Sequence, residues 1–335
     1  MSTIEYQNYI NGQFVPASDF IEVFNPSTGE LLAKSPESDD NTVSAAVDAA
    51  NAAQPAWAAL PAIERGKYLI QIASALRENH QKFQKFLMTE QGKTPDLAAT
   101  EVSFTADYLE YMAGFARRIE GEVIPSDRPG EQIFLTYQPL GVVAGILPWN
   151  FPLFLVARKF APAAITGNTI VIKPSEETPI VAFEFASLVD QVEVPRGVFN
   201  MVGGSGASVG NALTTSAKVN MVSMTGSVKA GKAIMAAAAP NLTRVNLELG
   251  GKAPAIVLDD ANLDLAAEAI WNSRVINTGQ VCNCAEVVLV QESVHDELVA
   301  KLKTKFEATR FDDPSKSSEI DMGPLINRAA SEKVQ

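Results

Sequence analysis

The sequence predicts an α/β fold, with an open, largely parallel sheet followed by a second, smaller α/β unit. Three observations carry this. From Gly141 onward, short apolar strands alternate with helical stretches, the pattern of parallel βαβ units. A further strand after the cysteines extends the alternation, so a second unit begins near Gly250. The chain has 335 residues, 47% of them hydrophobic, which is enough for two buried cores.

The first third is expected to be mostly helical. Leu69, Ile72, Ala73, Leu76, Phe83 and Leu87 keep the spacing of one helix face, and Gly92 closes it. A second helix is expected over about Ala98 to Arg118. Residues 121–138 change texture: Val123-Ile124-Pro125, a turn at Arg128-Pro129-Gly130, then Ile133–Tyr137 predict a hairpin. Strands follow at Gly141–Leu147, Thr169–Ile172, Val198–Val202, Val219–Met224, Val245–Leu249, Ala255–Leu258 and Val287–Gln291, with a helix over Asp264–Val275. There is no repeat or low-complexity segment.

Bulk composition narrows the function. A net charge of −12 argues against nucleic acid or anionic lipid as partners. No basic-then-apolar leader and no run of roughly 20 apolar residues is present, so neither a secretory signal nor a membrane span is expected. Cys282 and Cys284 are too few and too close for a disulfide framework, and a reduced, cytoplasmic setting is expected.

The candidate chemistry starts from these cysteines. Cys282 lies between a predicted helix and a predicted strand, where backbone N–H groups could favour its thiolate; by itself it could equally be a small buried hydrophobe. Cys-Asn-Cys lacks the spacer of a zinc or redox pair, and no metal site is expected. His80 and His295 lie in charge-rich helical stretches, which argues against a Cys–His dyad. Gly204-Ser205-Gly206 with Gly210 misses the dinucleotide fingerprint because its last glycine is one position late. Asn150 sits where a strand gives way to a helix; it could donate to an oxyanion or cap the helix. Glu248 stands in an apolar strand ending in Gly250-Gly251; buried it could serve as a base, exposed it would be an edge acid.

Together the motifs resemble one family. Pro148-Trp149-Asn150-Phe151-Pro152, Lys173-Pro174-Ser175-Glu176, Thr225-Gly226-Ser227, Glu248-Leu249-Gly250-Gly251-Lys252 and Gly279-Gln280-Val281-Cys282 stand in the order and approximate spacing of the aldehyde dehydrogenase superfamily. The resemblance runs from Tyr9-Ile10-Asn11-Gly12 to the last residue. Asn150–Lys159 and Arg274–Glu286 are similar to its lactaldehyde/glycolaldehyde branch. It implies a Rossmann-type NAD-binding domain (1–120 and 139–249), an oligomerisation hairpin (121–138) and the first part of a catalytic domain (250–335). It implies that Cys282 attacks the aldehyde, that Asn150 and the Cys282 N–H hold the oxyanion, and that Glu248 activates the water that hydrolyses the thioester. Lys173 and Glu176 would grip the adenosine ribose, with the carboxylate favouring NAD over NADP. Trp149, Gly206, Gly226 and Ser227 would lie along the dinucleotide. Arg158 would line the substrate path and suit a hydroxylated or carboxylated aldehyde, or else face solvent.

Two departures bear on these expectations. Val287 stands where an arginine usually follows the cysteine by five positions. The family's Glu-Ile-Phe-Gly-Pro motif, whose Glu holds the nicotinamide ribose, is absent, so the chain is expected to be C-terminally truncated. The alternatives are an inactive fragment that binds dinucleotide only, and a cofactor-independent cysteine esterase. A homo-oligomer is expected of the full-length protein.

Overall fold

The structure, a computed structural model, describes residues 3–335. The first third is mostly helical from residue 40 on, but it opens with strands that the sequence did not reveal: β1 (Ile4–Glu5), β2 (Asn8–Ile10), β3 (Gln13–Val15), β4 (Asp19–Phe24) and β5 (Leu31–Glu37). β1, β5 and β4 form a small sheet, while β2 and β3 join the main one. Helices α1 (Asp40–Ala59), α2 (Ala62–Glu78) and α3 (His80–Phe86) follow. The stripe from Leu69 to Leu87 is buried as its spacing predicts. It is not one helix, however: Asn79 breaks it, and a π-helical turn (Leu87–Gln91) ends at left-handed Gly92, φ 77°. Glycine is required there, because a Cβ would lie 2.5 Å from Pro324 Cγ. α4 (Pro95–Ala113) starts on a proline in its first turn. The predicted hairpin is present as β6 (Glu122–Pro125) paired with β7 (Gln132–Leu135), exposed at every position.

The main sheet adds β8 (Val142–Ile146), β9 (Thr169–Lys173), β10 (Phe199–Met201), β11 (Met221–Gly226) and β12 (Arg244–Leu249), in the order β12-β11-β8-β9-β10-β2-β3. The first five run parallel; β2 and β3 continue antiparallel. β8 and β9 are buried throughout, hence their unbroken apolar sequences. The intervening helices are α5 (Pro152–Ile165), α6 (Ile180–Gln191), α7 (Asn211–Thr215) and α8 (Val228–Ala238). On one side Phe160 of α5 meets Phe199 edge-on, ring centroids 5.0 Å apart. On the other, Val43, Ala46 and Val47 of α1 pack with Leu213 and Val222. β9 and β10 lie to one side of β8, β11 and β12 to the other. The winding therefore reverses beside β8 and opens a crevice at the carboxyl ends of β8 and β11.

The second unit is small. β13 (Pro254–Val257) and β14 (Val287–Val290) pair in parallel beneath α9 (Leu263–Val275) and α10 (His295–Glu307), around Val257, Ala267, Ile270 and Leu298. Its other face is open, with Ile256 69% and Leu289 53% exposed. A last helix, α11, spans Arg328–Val334. Among the described residues no helix is long and apolar enough to cross a membrane.

Stability should therefore rest on the large sheet. Phe160→Ala is expected to destabilise by about 3–5 kcal/mol, and Leu289→Thr on the open face by less than about 0.5 kcal/mol. Urea denaturation measures both; equal losses would contradict this division.

Candidate active site

Most of the candidate residues lie at the carboxyl ends of the parallel strands; Arg158 lies within α5 and Cys282 in the loop before β14. Trp149 and Asn150 follow β8, Glu176 follows β9, Gly206 follows β10, Gly226 and Ser227 close β11, and Glu248 lies near the end of β12. Ser227 caps α8, its hydroxyl accepting from Ala230 N at 3.1 Å.

Asn150 and the cysteine loop meet. Asn150 Oδ1 accepts from Phe151 N at 3.1 Å, which directs the amide nitrogen outward. That nitrogen donates to Gln280 O at 3.0 Å, two residues before Cys282. Asn277 Nδ2 returns a bond to Asn150 O at 3.3 Å. Asn150 therefore joins the loop rather than capping α5 with its side chain.

The loop is strained and braced. After α9, Asn277, Thr278 and Gly279 are all left-handed, with φ of 47°, 58° and 74°. Such angles are unfavourable for a β-branched threonine. Thr278 Oγ1 donates to Gly323 O at 2.9 Å, and Gln280 Oε1 accepts from Ile326 N at 3.0 Å. The two cysteines part company here. Cys284 is buried, its sulfur 3.2 Å from both Arg274 Nη1 and Gly279 O, so it serves as a brace. Cys282 is exposed at the turn. Val287 pairs with Pro254, and the loop keeps a guanidinium from the preceding helix, Arg274. His80 bonds Ala99 O and Ser103 while His295 bonds Asp296.

Lys173 and Glu176 form one cluster with Gly206. Buried Lys173 donates to Gly204 O at 2.8 Å and Pro174 O at 2.9 Å, and lies 3.2 Å from Glu176. Burial lowers the Lys173 pKa while Glu176 and Glu37 oppose the fall. Glu176 Oε1 accepts from Gly206 N at 2.6 Å. The late glycine is explained locally: residues 206–210 form a π-helical turn in which Gly210 N reaches Ser205 O, five residues back. One residue is thereby absorbed before α7.

Of the two settings open to Glu248 in the sequence, the structure shows the exposed one. It is exposed, not buried, because β12 is the sheet's edge strand and alternates between open and covered positions. It faces a groove of about 860 Å³ with Tyr108, Arg158, Lys159, Ser223 and Asn246. Arg158 is exposed on the rim. Lys159 is buried and donates to Ser223 Oγ at 3.0 Å. Burial pushes its ammonium down to about 8; Arg158 adds to the fall and Glu248 opposes it. Sequence reading missed Lys159, although a lysine among the apolar positions of α5 was a visible signal. It also missed Lys93 and Glu101, which are buried behind Asn150.

Known proteins resemble this chain closely. The Aldehyde dehydrogenase family profile matches residues 14–335. Lactaldehyde dehydrogenase of Escherichia coli (strain K12) is 54% identical over 334 residues, covering 99% of this chain and 70% of that protein. The crystal structure of lactaldehyde dehydrogenase from Escherichia coli superposes with TM-score 0.98 at 54% identity, over 99% of this chain and 70% of that one. A 3,6-anhydro-L-galactose dehydrogenase in complex with NAP gives 0.93 at 41% identity, over 97% and 68%. Betaine aldehyde dehydrogenase from Staphylococcus aureus in complex with NAD+ gives 0.95 at 32%, over 99% and 66%. Matched in family profile, in sequence and in its α/β architecture, the chain belongs to the aldehyde dehydrogenase family.

Proposed function

We propose that the chain serves NAD-dependent oxidation of a small hydroxyaldehyde, such as lactaldehyde or glycolaldehyde, to its acid. The observation that carries the reading is the bond from Asn150 to the loop of Cys282. Cys282 adds to the aldehyde carbon, forming a C–S bond and moving the carbonyl electrons onto oxygen. The second N–H of Asn150 and the Cys282 backbone N–H receive that oxygen; one such donor is worth about 3 kcal/mol. A bound nicotinamide dinucleotide supplies the two-electron acceptor. Once the carbon is a thioester, Glu248 takes a proton from the water that attacks it, and the C–S bond breaks to return the thiolate.

The residues present fit a dinucleotide. A Cβ on Gly206 would meet only Glu176 Oε1, at 3.8 Å, so the chain there is open to a ligand. Thr225 Oγ1, at the end of β11, is buried without a partner. Glu176, 36% exposed, can accept from ribose hydroxyls and repels a 2′-phosphate. The open setting of Glu248 favours a second reading, in which this chain alone binds dinucleotide without turnover. NAD titration with no NADH formation would select it, and NAD-independent ester cleavage would point to an esterase.

Four variants test the assignment. Cys282→Ala should abolish NADH formation while Cys284→Ala keeps much of it; equal losses would remove the reason for choosing Cys282. Glu176→Ser should narrow the preference for NAD over NADP by about tenfold or more, and a wild-type chain that prefers NADP sinks the cofactor reading. Arg158→Leu should weaken the preference for hydroxyaldehydes over unsubstituted aldehydes of similar size, mainly through KM. An unchanged ranking would return Arg158 to the role of a solvent-facing helix residue.

A further inference from the structure

Lys93 and Glu101 form an ion pair with neither side chain exposed, Nζ 3.0 Å from Oε2. Both charges converge on the turn that presents Asn150. Lys93 donates to the Asn150 carbonyl, and its ammonium sits 4.0 Å from the centroid of the Phe151 ring. It also donates to Gln91 Oε1 at 3.3 Å, so its ammonium bonds two oxygens and faces the Glu101 carboxylate as an ion pair. Glu101 Oε1 accepts from Leu153 N at 3.0 Å and Phe154 N at 3.1 Å, the first turn of α5. The turn is gripped through its carbonyl on one side and through its helix N–H groups on the other.

A buried ion pair is an expensive way to stabilise a fold, since an apolar pair of similar volume is often as stable. Helix α6 supplies an internal comparison. Its first N–H groups, Ile180 and Val181, are taken by buried Glu90. Among the described residues no lysine or arginine pairs with Glu90, and burial pushes its carboxyl up to about 8. Capping a helix here thus needs only a glutamate. The added lysine serves α5, the helix that starts two residues after the candidate oxyanion donor Asn150.

We propose that Lys93 and Glu101 are positioning residues that fix the Asn150–Phe151 turn from behind, so that the Asn150 amide nitrogen faces the Cys282 loop. The proposal rests on the oxidation mechanism given above. Asn150 Oδ1 is already engaged by Phe151 N, so holding the peptide plane of Asn150 also fixes which way its NH2 points. Without the pair the turn can rotate, and misplacement by about 1 Å of a group that acts in the transition state lowers the rate on the order of 100-fold.

The test is a double-mutant cycle in the full chain. Lys93→Met with Glu101→Gln removes both charges together and keeps an acceptor for the α5 N–H groups; Asn150→Ala supplies the second arm. The charge-free variant should lower kcat by about 10- to 100-fold, leave KM and NAD affinity within about threefold, and cause no further loss in the Asn150→Ala background. Backbone amide exchange at Phe151, Leu153 and Phe154, measured without substrate, should become faster while α6 is unchanged. Additive losses in the cycle, or slow exchange retained at 151–154, would overturn the proposal. A wild-type chain without turnover whose variant nonetheless exchanges faster only at 151–154 would support the positioning role and reject the oxidation reading instead.

Discussion

Backbone polar groups that leave regular structure must find partners, and this requirement is concentrated at one point, the Asn150 peptide. Here β8 has ended, α5 has not yet closed its first turn, and the cysteine loop passes in left-handed geometry. The Asn150 carbonyl takes Lys93 and Asn277, while its side chain reaches Gln280. Gln280 in turn engages Ile326 and the carbonyl of Pro324, and Pro324 presses on Gly92, the residue before Lys93. Segments separated by more than two hundred residues thus close a ring around the site. Few of these bonds join two side chains, so most substitutions at the ring act by freeing a main-chain group.

The sheet supplies position and the ring supplies orientation. Parallel winding brings five strand ends to one rim, which accounts for the gathering of Asn150, Glu176, Gly206 and Gly226 from distant sequence. It does not determine where side chains point. Glu248 shows the difference: it lies near the end of an edge strand with a single neighbour, and so stands open to the groove beside Lys159.

Legibility in the sequence followed the same line. The buried strands β8 and β9 could be read because covering both faces of a strand demands a continuous apolar run. The strands before residue 38 could not: they are two to seven residues long, mixed in composition, and their partners lie far along the chain. The helical stripe of Leu69–Leu87 was visible, whereas its break at Asn79 was not, since the apolar spacing continues across it. The cysteine, asparagine and glutamate motifs were recognisable as short words. Glu101 carried a quieter signal, a charge set among Ala98, Val102 and Thr105 on the buried stripe of α4.

The placing of β2 has a consequence for synthesis. Tyr9 pairs with Met201, so a strand made at the start must wait for a partner made much later. At about 5–20 residues per second, the wait during translation is on the order of ten seconds or more. Over that interval Tyr9 and Ile10, both nearly inaccessible in the folded chain, are open to chaperones. The helices and β8–β9 can form first, from neighbours close in sequence, and β2 then docks on a β10 that is already paired with β9. β2 is thus a clasp of the nascent fold, made early and fastened only once β10 has emerged.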